Sequence, residues 1–142
     1  MKLCSACLIG IECRYNGKSK PNMKVIELAK REALIPVCPE QLGGLATPRE
    51  PQERIGKRVV TKTGIDVTEN FNKGAKQVLL IAKILGIKEA ILKQRSPSCG
   101  CGQIYDGTFS DKVINGDGVT TALLRRNNIK VVSEEDFNIT RT

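Results

Sequence analysis

The chain has 142 residues, the size of one domain that can bury its own core without disulfide staples. Hydrophobic residues make up 40% and charged residues 27%, and the absence of a long apolar stretch excludes an integral membrane protein. The formal net charge of +8 favours an anionic partner such as RNA, although scattered lysines fit a merely basic, solvated surface equally well. The first ten residues are too polar for a signal peptide, so we expect a single cytoplasmic domain spanning residues 1–142.

Short apolar runs and one amphipathic stretch begin the chain. A first strand starts at Lys2 and ends near Ser5 or Cys7. Residues 22–33 have the period of a helix, with an apolar face made of Met23, Ile26, Ala29 and Ala33. Residues 34–37, "LIPV", are then predicted to form a short buried strand.

The most strongly patterned helix lies in the middle of the chain, after a strand with polar flanks at residues 57–64. Asp66 is its predicted N-cap, with Glu69 three residues later as in a capping box. Its apolar stripe consists of Phe71, Ala75, Val78, Leu79, Ala82 and Leu85. Gly86 is expected to end the helix in a left-handed conformation.

The last part of the chain continues the alternation of strands and helices. We predict a buried strand at residues 88–94, a helix over about residues 119–127 and a final strand at residues 129–133. This order is typical of a three-layer α/β fold, Rossmann-like or flavodoxin-like, with a mostly parallel sheet and helices on both faces. Ligands of such folds bind beyond the carboxyl ends of the strands.

Six cysteines and no histidine define the chemistry that is available to this chain. In a reducing compartment, several cysteines indicate metal binding or catalysis before they indicate disulfides, although an even number leaves a disulfide framework as an alternative. The absence of histidine excludes imidazole metal ligands and histidine proton shuttles. A general base must therefore be a carboxylate, a lysine, a tyrosine or a thiolate.

Three of the cysteines follow predicted strands. Cys7, Cys38 and Cys99 come after the first, second and 88–94 strands, so we expect them at one edge of the sheet. Cys4 is expected to pack inside the first strand as a small apolar residue. Cys13 lies in a loop and is open to three interpretations: a metal ligand, a second catalytic thiol or a reactive surface thiol. Cys101 lies between two glycines and has no assigned role.

Three thiolates at one edge suit a [4Fe–4S] cluster that leaves one iron free of protein ligands. An iron with an open position is a Lewis acid that can take a substrate atom. Structural zinc usually needs four ligands in paired C-x-x-C motifs, and this chain has only one such motif, formed by Cys4 and Cys7. A zinc-stabilised structural module is thus the weaker alternative.

Polar residues beside these cysteines fit catalysis as well as structure. Glu40 follows Cys38 in "VCPEQLGGL" and is either an acid favoured by a helix N-terminus or a general base. Ser96 and Ser98 flank a proline, where hydroxyls stabilise turns but also position a water or substrate. Arg49, in "TPREP", either orients an anion or lies in an exposed loop.

Five motifs, in order and across nearly the whole chain, resemble the small single-domain thiouracil desulfurase family. They are "SACLIGIECRYNGKSK", "VCPEQLGGLATPREP", "TGIDVTENFNKGA", "ILKQRSPSCGCGQIYDGTFS" and "GDGVTTALL". The resemblance implies an oxygen-sensitive [4Fe–4S] enzyme that removes sulfur from thiolated pyrimidines without net redox change. It implies that three cysteines hold the cluster and that the substrate sulfur binds the fourth iron.

The resemblance also implies roles for individual residues. The glutamate of the C-P-E motif is Glu40, and the serine associated with the attacking water is Ser96 rather than Ser98. The implied cluster ligands are Cys7, Cys38 and Cys99, with Cys13 as the rival for the first position. Asn16 departs from the family, which often has an aspartate at this position, so no acid role is expected there.

Two functions from different classes follow. The first is desulfuration of a small thiolated pyrimidine or thionucleoside, with thiouridine in tRNA as a further possible substrate. The second is an RNA-binding or sulfur-carrier protein in tRNA thiolation that carries a cluster or a persulfide on a basic surface. No membrane partner is expected, and the sequence leaves the oligomeric state open.

Overall fold

A four-stranded parallel sheet forms the centre of the computed structural model, which describes residues 1–137. In chain order the elements are β1 (Lys2–Ser5), α1 (Met23–Ala29), β2 (Leu34–Val37), α2 (Pro39–Leu42), β3 (Gln52–Ile55), β4 (Arg58–Thr61), α3 (Thr68–Leu85), β5 (Glu89–Leu92), β6 (Gln103–Tyr105), β7 (Val113–Asn115), α4 (Val119–Arg126) and β8 (Lys130–Ser133). The strand order is β2-β1-β5-β8, with every neighbouring pair parallel. The predicted α/β fold is confirmed.

Alternating side chains along the strands build a core on each face of this sheet. Leu3, Ala90 and Val131 point to the face covered by α3 and α4, where they pack with apolar residues of both helices. Cys4 and Ile91 point to the opposite face, where Val25 and Leu28 of α1 join them. Helices therefore cover both faces, as the alternation of elements predicted.

The buried face of α1 differs from the prediction. Val25 and Leu28 are buried, whereas Met23 is 73% exposed and Ala29 is also exposed. The larger branched side chains bury more apolar area than alanine, so they decide which face turns inward. Asn22 begins the helix by accepting a hydrogen bond from the backbone N–H of Val25 at 3.1 Å, and the helix ends at Ala29, before the predicted residue 33.

The ends of α3 also needed correction. Val67 occupies the N-cap position, one residue after the predicted Asp66, while Asp66 Oδ1 accepts a hydrogen bond from the Thr68 backbone N–H at 2.9 Å. Gly86 ends the helix in the left-handed region as predicted, with φ of 67°. Leu85 is 44% exposed because the turn at this glycine brings Ile87 into the core instead.

Two small hairpins lie outside the parallel sheet, and the pairing of their strands was not predicted. The strand expected at residues 57–64 is β4, which pairs antiparallel with β3 rather than joining the main sheet. A second hairpin joins β6 and β7. All four strands have three or four residues and carry polar side chains, too short a run for alternation to identify them.

The strand predicted at residues 34–37 lies at the edge of the sheet, and within it only Val37 is buried. An edge tolerates Pro36, which has no N–H to donate. The elements predicted at 88–94, 119–127 and 129–133 correspond to β5, α4 and β8. Among residues 1–137, no helix is long and apolar enough to cross a membrane.

Candidate functional site

A cavity of about 410 Å³ lies beyond the carboxyl ends of β1, β2 and β5. Its lining includes the predicted site residues Cys7, Cys13, Cys38, Glu40, Ser96, Ser98 and Cys99. These residues come from three distant segments of the chain, and the parallel sheet brings the segments together because each follows a strand that ends at this edge.

Four cysteines, Cys7, Cys13, Cys38 and Cys99, line one cavity and are called the cysteine group below. The thiol of Cys38 donates a hydrogen bond to the carbonyl oxygen of Cys13, with Sγ 3.7 Å from that oxygen. Cys13 is 2% exposed, so the interpretation as a surface thiol is wrong. Because Cys13 lies near the other thiols, two of its interpretations remain: a metal ligand or a second catalytic thiol.

The two remaining cysteines do not line the cavity. Cys4 is fully buried in β1 and packs in the core beneath α1, as predicted. Cys101 is half-buried, and its Sγ lies 3.3 Å from the carbonyl oxygen of Val131 and 2.8 Å from Nη2 of Arg125.

Burial and contact between neighbouring thiols raise the pKa values of Cys13, Cys38 and Cys99. A hydrogen bond with Cys13, together with burial, raises the pKa of Cys38 above its ordinary value. Burial raises the pKa of Cys99 to about 12. The hydrogen bond with Cys38 lowers the pKa of Cys13, but the contact with Cys7 and burial outweigh it and raise the value to about 11. Thiolates at these positions therefore require a positive charge such as bound iron.

The donor set fits a cluster better than a single ion. Within the described residues 1–137, no three cysteine or carboxylate side chains are arranged to hold one metal ion. The four cysteines of the cysteine group instead line one cavity. Each thiolate ligand of an iron–sulfur cluster binds a different iron, so several cysteines at one cavity supply the all-sulfur donor set that a cluster needs.

Glu40 lies in the first turn of α2, two residues after Cys38, and is only 8% exposed. Its Oε1 accepts a hydrogen bond from Nε of Arg49 at 3.0 Å, and Nη2 of Arg49 lies 2.8 Å from the same oxygen as an ion-pair contact. Nη2 of Arg49 also donates to the carbonyl oxygen of Cys13 at 2.9 Å. Arg49 is not in an exposed loop, because its side chain is 7% exposed, and the anion that it orients is the Glu40 carboxylate.

The other oxygen of Glu40 begins a chain of hydroxyl groups. Ser98 Oγ donates to Glu40 Oε2 at 2.9 Å and lies 2.9 Å from Ser96 Oγ. Ser98 is 2% exposed, whereas Ser96 is half-buried. Ser96 Oγ accepts hydrogen bonds from the backbone N–H groups of Ser98 and Cys99, at 3.2 and 3.0 Å. Ser98 thus contacts the carboxylate directly, and Ser96 is the more accessible hydroxyl.

The N-terminus of α4 holds the serine-containing loop in place. The backbone N–H groups of Val119 and Thr120 donate to the carbonyl oxygens of Pro97 and Ser98, both at 2.9 Å. A Cβ on Gly118 would lie 2.4 Å from the carbonyl carbon of Ser98, so only glycine allows this approach. The close approach of Gly118 to Ser98 therefore helps to order the site.

Three further cavity residues were not singled out from the sequence. Lys93 Nζ lies 3.2 Å from Glu134 Oε2, and this buried carboxylate anchors the loop after β5 by accepting a hydrogen bond from Gln94 N at 2.7 Å. Glu53 and Phe109 line the cavity from the small hairpins. Nothing in the sequence pattern marks them, because their proximity depends on how the two hairpins pack.

Comparisons with known proteins agree with these observations. Residues 3–136 match the family described as 2-thiouracil desulfurase. YbbK, an uncharacterized protein of Bacillus subtilis strain 168, is 47% identical over 148 aligned positions that cover 97% of this chain and 98% of the relative. A solved structure described as the [4Fe–4S]-dependent thiouracil desulfidase TudS superposes with a TM-score of 0.90 at 46% identity, covering 94% of this chain and 90% of that one. The resemblance found in the motifs is confirmed: this chain belongs to the 2-thiouracil desulfurase family.

Proposed function

We propose that this protein removes sulfur from a thiolated pyrimidine in a [4Fe–4S]-dependent, non-redox reaction. A C=S group and water become a C=O group and hydrogen sulfide, so no external oxidant or reductant is needed. The observation that carries the proposal is the single cavity in which the cysteine group meets the Glu40 carboxylate. Membership in the 2-thiouracil desulfurase family and the likeness to TudS support the same activity.

Cys7, Cys38 and Cys99 are the proposed ligands of the cluster, with Cys13 as the rival of Cys7. When bound, a cluster with one iron free of protein supplies a Lewis acid that stabilises negative charge on the departing sulfur. The protein's part is to hold the thiols in a dry cavity wall, where Cys99 is 4% exposed and Cys7 is 7% exposed. The fourth thiol stays beside the ligands and excludes water from them.

Glu40 is the proposed general base that takes a proton from the attacking water. Arg49 occupies Oε1, so Oε2 is the oxygen turned toward the serines. Because the chain has no histidine, a carboxylate held in this way is suited to take the proton. Arg49 is the proposed positioning residue, since its guanidinium fixes the plane of the carboxylate.

Ser96 is the proposed water-orienting hydroxyl, and Ser98 is the link between it and Glu40. Both acceptor positions of Ser96 Oγ are used by backbone N–H groups, so its single hydrogen is free to turn either to Ser98 or to a water oxygen. Ser98 keeps its own hydrogen on Glu40 Oε2. The pair therefore holds the water within reach of the base.

The proposed substrate is a free thiolated pyrimidine or its nucleoside rather than thiouridine within tRNA. The reacting groups lie inside a cavity of about 410 Å³, and the hydroxyl of Ser98 and the thiol of Cys99 are buried in its wall. A small planar ring reaches such groups without unfolding a polynucleotide. Sulfide release from thiouracil, compared with release from thiolated tRNA, separates the two substrates.

The test is anaerobic reconstitution with iron and sulfide followed by addition of thiouracil. We expect a brown protein that releases equal amounts of uracil and sulfide. Glu40→Gln keeps the size of the side chain and should keep the colour while lowering turnover about 10²- to 10⁴-fold, the usual contribution of a general base. A colourless protein that binds zinc, or a brown one that releases no sulfide, contradicts the proposal.

A further inference from the structure

Glu53 is a second buried carboxylate in the wall of the cavity, separate from Glu40 and its partners Arg49 and Ser98. It lies on β3 and is 8% exposed. Its Oε1 accepts hydrogen bonds from the backbone N–H groups of Gly107 and Phe109, at 2.9 and 3.1 Å. Within residues 1–137, the other oxygen, Oε2, receives no hydrogen bond, and the carboxylate has no partner lysine or arginine.

This arrangement leaves one carboxylate oxygen available to a ligand. An N–H donor that reaches the oxygen of a largely buried carboxylate stabilises it through a charge-assisted hydrogen bond. Two backbone N–H groups satisfy Oε1 and hold the loop between β6 and β7, whereas Oε2 remains without a donor at the edge of the cavity. Glu53 Oε2 is therefore an acceptor that a ligand N–H in the cavity can use.

The loop held by Glu53 presents an aromatic ring to the same cavity. Phe109 lines the cavity and is half-buried, and its backbone has a φ of 56°. A left-handed conformation is unfavourable for phenylalanine, so the hydrogen bond from its N–H to Glu53 holds the residue where its ring faces the cavity. Carboxylate and ring thus act as one unit.

We propose that Glu53 and Phe109 recognise the pyrimidine ring, with Glu53 Oε2 accepting a ring N–H and the phenyl ring packing on the face of the heterocycle. This inference rests on the proposed function, since thiouracil and its product uracil both offer a flat face and ring N–H donors. Glu53 is then a specificity-determining residue for the nitrogen side of the ring. It selects lactam rings over rings that carry only acceptors or alkyl groups there.

Glu53→Gln separates recognition from loop anchoring. The amide oxygen of glutamine still accepts the two backbone N–H groups, but the amide nitrogen now presents a donor to the ring donor. We expect the dissociation constant of uracil, measured by calorimetry with the cluster-loaded enzyme, to rise about tenfold or more. The KM for thiouracil should rise by a similar factor, with a smaller change in kcat.

Glu50→Gln is the matched control. Glu50 Oε1 also accepts a backbone N–H, from Thr63 at 3.2 Å, as well as the Thr63 hydroxyl at 2.7 Å, but Glu50 does not line the cavity. This isosteric change should leave uracil binding unaltered. Equal affinity of the wild type and the Glu53→Gln variant for uracil overturns the inference, whatever the rate of sulfide release.

A modified ligand provides a second test. 1,3-Dimethyluracil has no ring N–H, so it should bind the wild type and the Glu53→Gln variant equally weakly. If the variant fails to fold, the wild type compared on uracil and on 1,3-dimethyluracil, together with Phe109→Leu, decides the question. Equal binding of the two ligands to the wild type, or unchanged uracil binding by Phe109→Leu, refutes the inference. Active desulfuration with either result leaves the proposed function intact, whereas Glu53-dependent uracil binding without sulfide release refutes only that function.

Discussion

Arg49 and Glu40 are joined by one hydrogen bond and one ion-pair contact, both to a single carboxylate oxygen. Nε and Nη2 of Arg49 both reach Oε1 of Glu40, which leaves Oε2 for Ser98. The remaining donors of the guanidinium bind the carbonyl oxygens of Cys13 and Ala46 and the hydroxyl of Thr47. All three nitrogens of this guanidinium therefore donate hydrogen bonds within the protein. Arg49 thus connects the proposed base to the cysteine group.

Arg49→Met should impair chemistry more than binding. Loss of the guanidinium leaves Glu40 buried without a cation and free to change its orientation. A misplaced catalytic group costs about a hundredfold in rate, so we expect kcat to fall about ten- to a hundredfold, with KM little changed. Arg49→Lys keeps the positive charge, but a lysine cannot reach all of the acceptors of Arg49. We expect its kcat to lie between the values of the wild type and of Arg49→Met. Steady-state kinetics at matched cluster loading measure both effects.

Arg58→Met is the control for losing an arginine–carboxylate pair. Arg58 Nε lies 3.1 Å from Asp66 Oδ2, and both side chains are largely exposed. An exposed pair contributes about 0–1 kcal/mol, so this variant should keep the stability and kcat of the wild type. An Arg49→Met variant with the kcat of the wild type would show that Glu40 needs no partner.

The two serines should give different phenotypes when each is changed to alanine. Ser98→Ala removes the contact to Glu40 Oε2 but none of the hydrogen bonds to the Cys99 backbone. It should lower kcat about tenfold or more and leave the iron content unchanged. Ser96→Ala removes the acceptor of the Cys99 backbone N–H, so it should lower both kcat and the iron bound per chain.

Iron analysis and sulfide release, compared with the exposed Ser110→Ala, distinguish these outcomes. A Ser96→Ala variant that retains all of its iron would mean that the Ser96 hydroxyl does not hold the Cys99 loop.

Cysteine-to-serine variants should show which three members of the cysteine group bind the cluster and which one does not. Cys38→Ser and Cys99→Ser should abolish the visible absorption of a reconstituted cluster, because a hydroxyl is a poor ligand for iron. Cys7→Ser should do the same, whereas Cys13→Ser and the control Cys101→Ser should keep it. A full cluster in Cys7→Ser together with its loss in Cys13→Ser would transfer the ligand role to Cys13.

The sequence predicted the sheet and the convergence of the site because strand-like segments alternate with helical patterns along the chain, which is typical of a parallel sheet. β1, β5 and β8 each end in a buried residue, and α3 has a clear helical period. Once parallel pairing is inferred, residues after each strand must meet at one edge, which is how Cys38 and Cys99 were placed together.

The hairpins and their contributions to the cavity escaped prediction for a physical reason. β3 and β6 are stabilised by packing and by single side chains such as Glu53, which bonds to a loop 54 residues away. The local propensities of residues near Glu53 do not indicate such a long-range contact. Arg49 could be identified as unusual but not placed, because its partners Glu40 and Cys13 come from different loops. The inward face of α1 was predicted wrongly because the helical period alone did not rank Val25 above Met23.

Gly74→Ala provides a test in which local propensity and tertiary packing predict opposite signs. Gly74 lies within α3, where alanine is favoured over glycine by about 0.5–1 kcal/mol in an isolated helix. A Cβ at this position would lie 1.9 Å from the carbonyl oxygen of Pro39 and 2.8 Å from its carbonyl carbon. The neighbour is backbone, so it cannot rotate away, and the overlap should cost about 1–3 kcal/mol or more.

We therefore expect Gly74→Ala to lower the free energy of unfolding and, because Pro39 precedes Glu40, to lower kcat as well. Urea unfolding and sulfide release of the reconstituted enzyme measure the two effects. Lys76→Ala, an exposed change in the same helix, should change stability by no more than about 0.5 kcal/mol and leave kcat unaltered. A Gly74→Ala variant as stable and active as the wild type would mean that α2 does not rest against this glycine, and the placement of Glu40 by α3 would have to be abandoned.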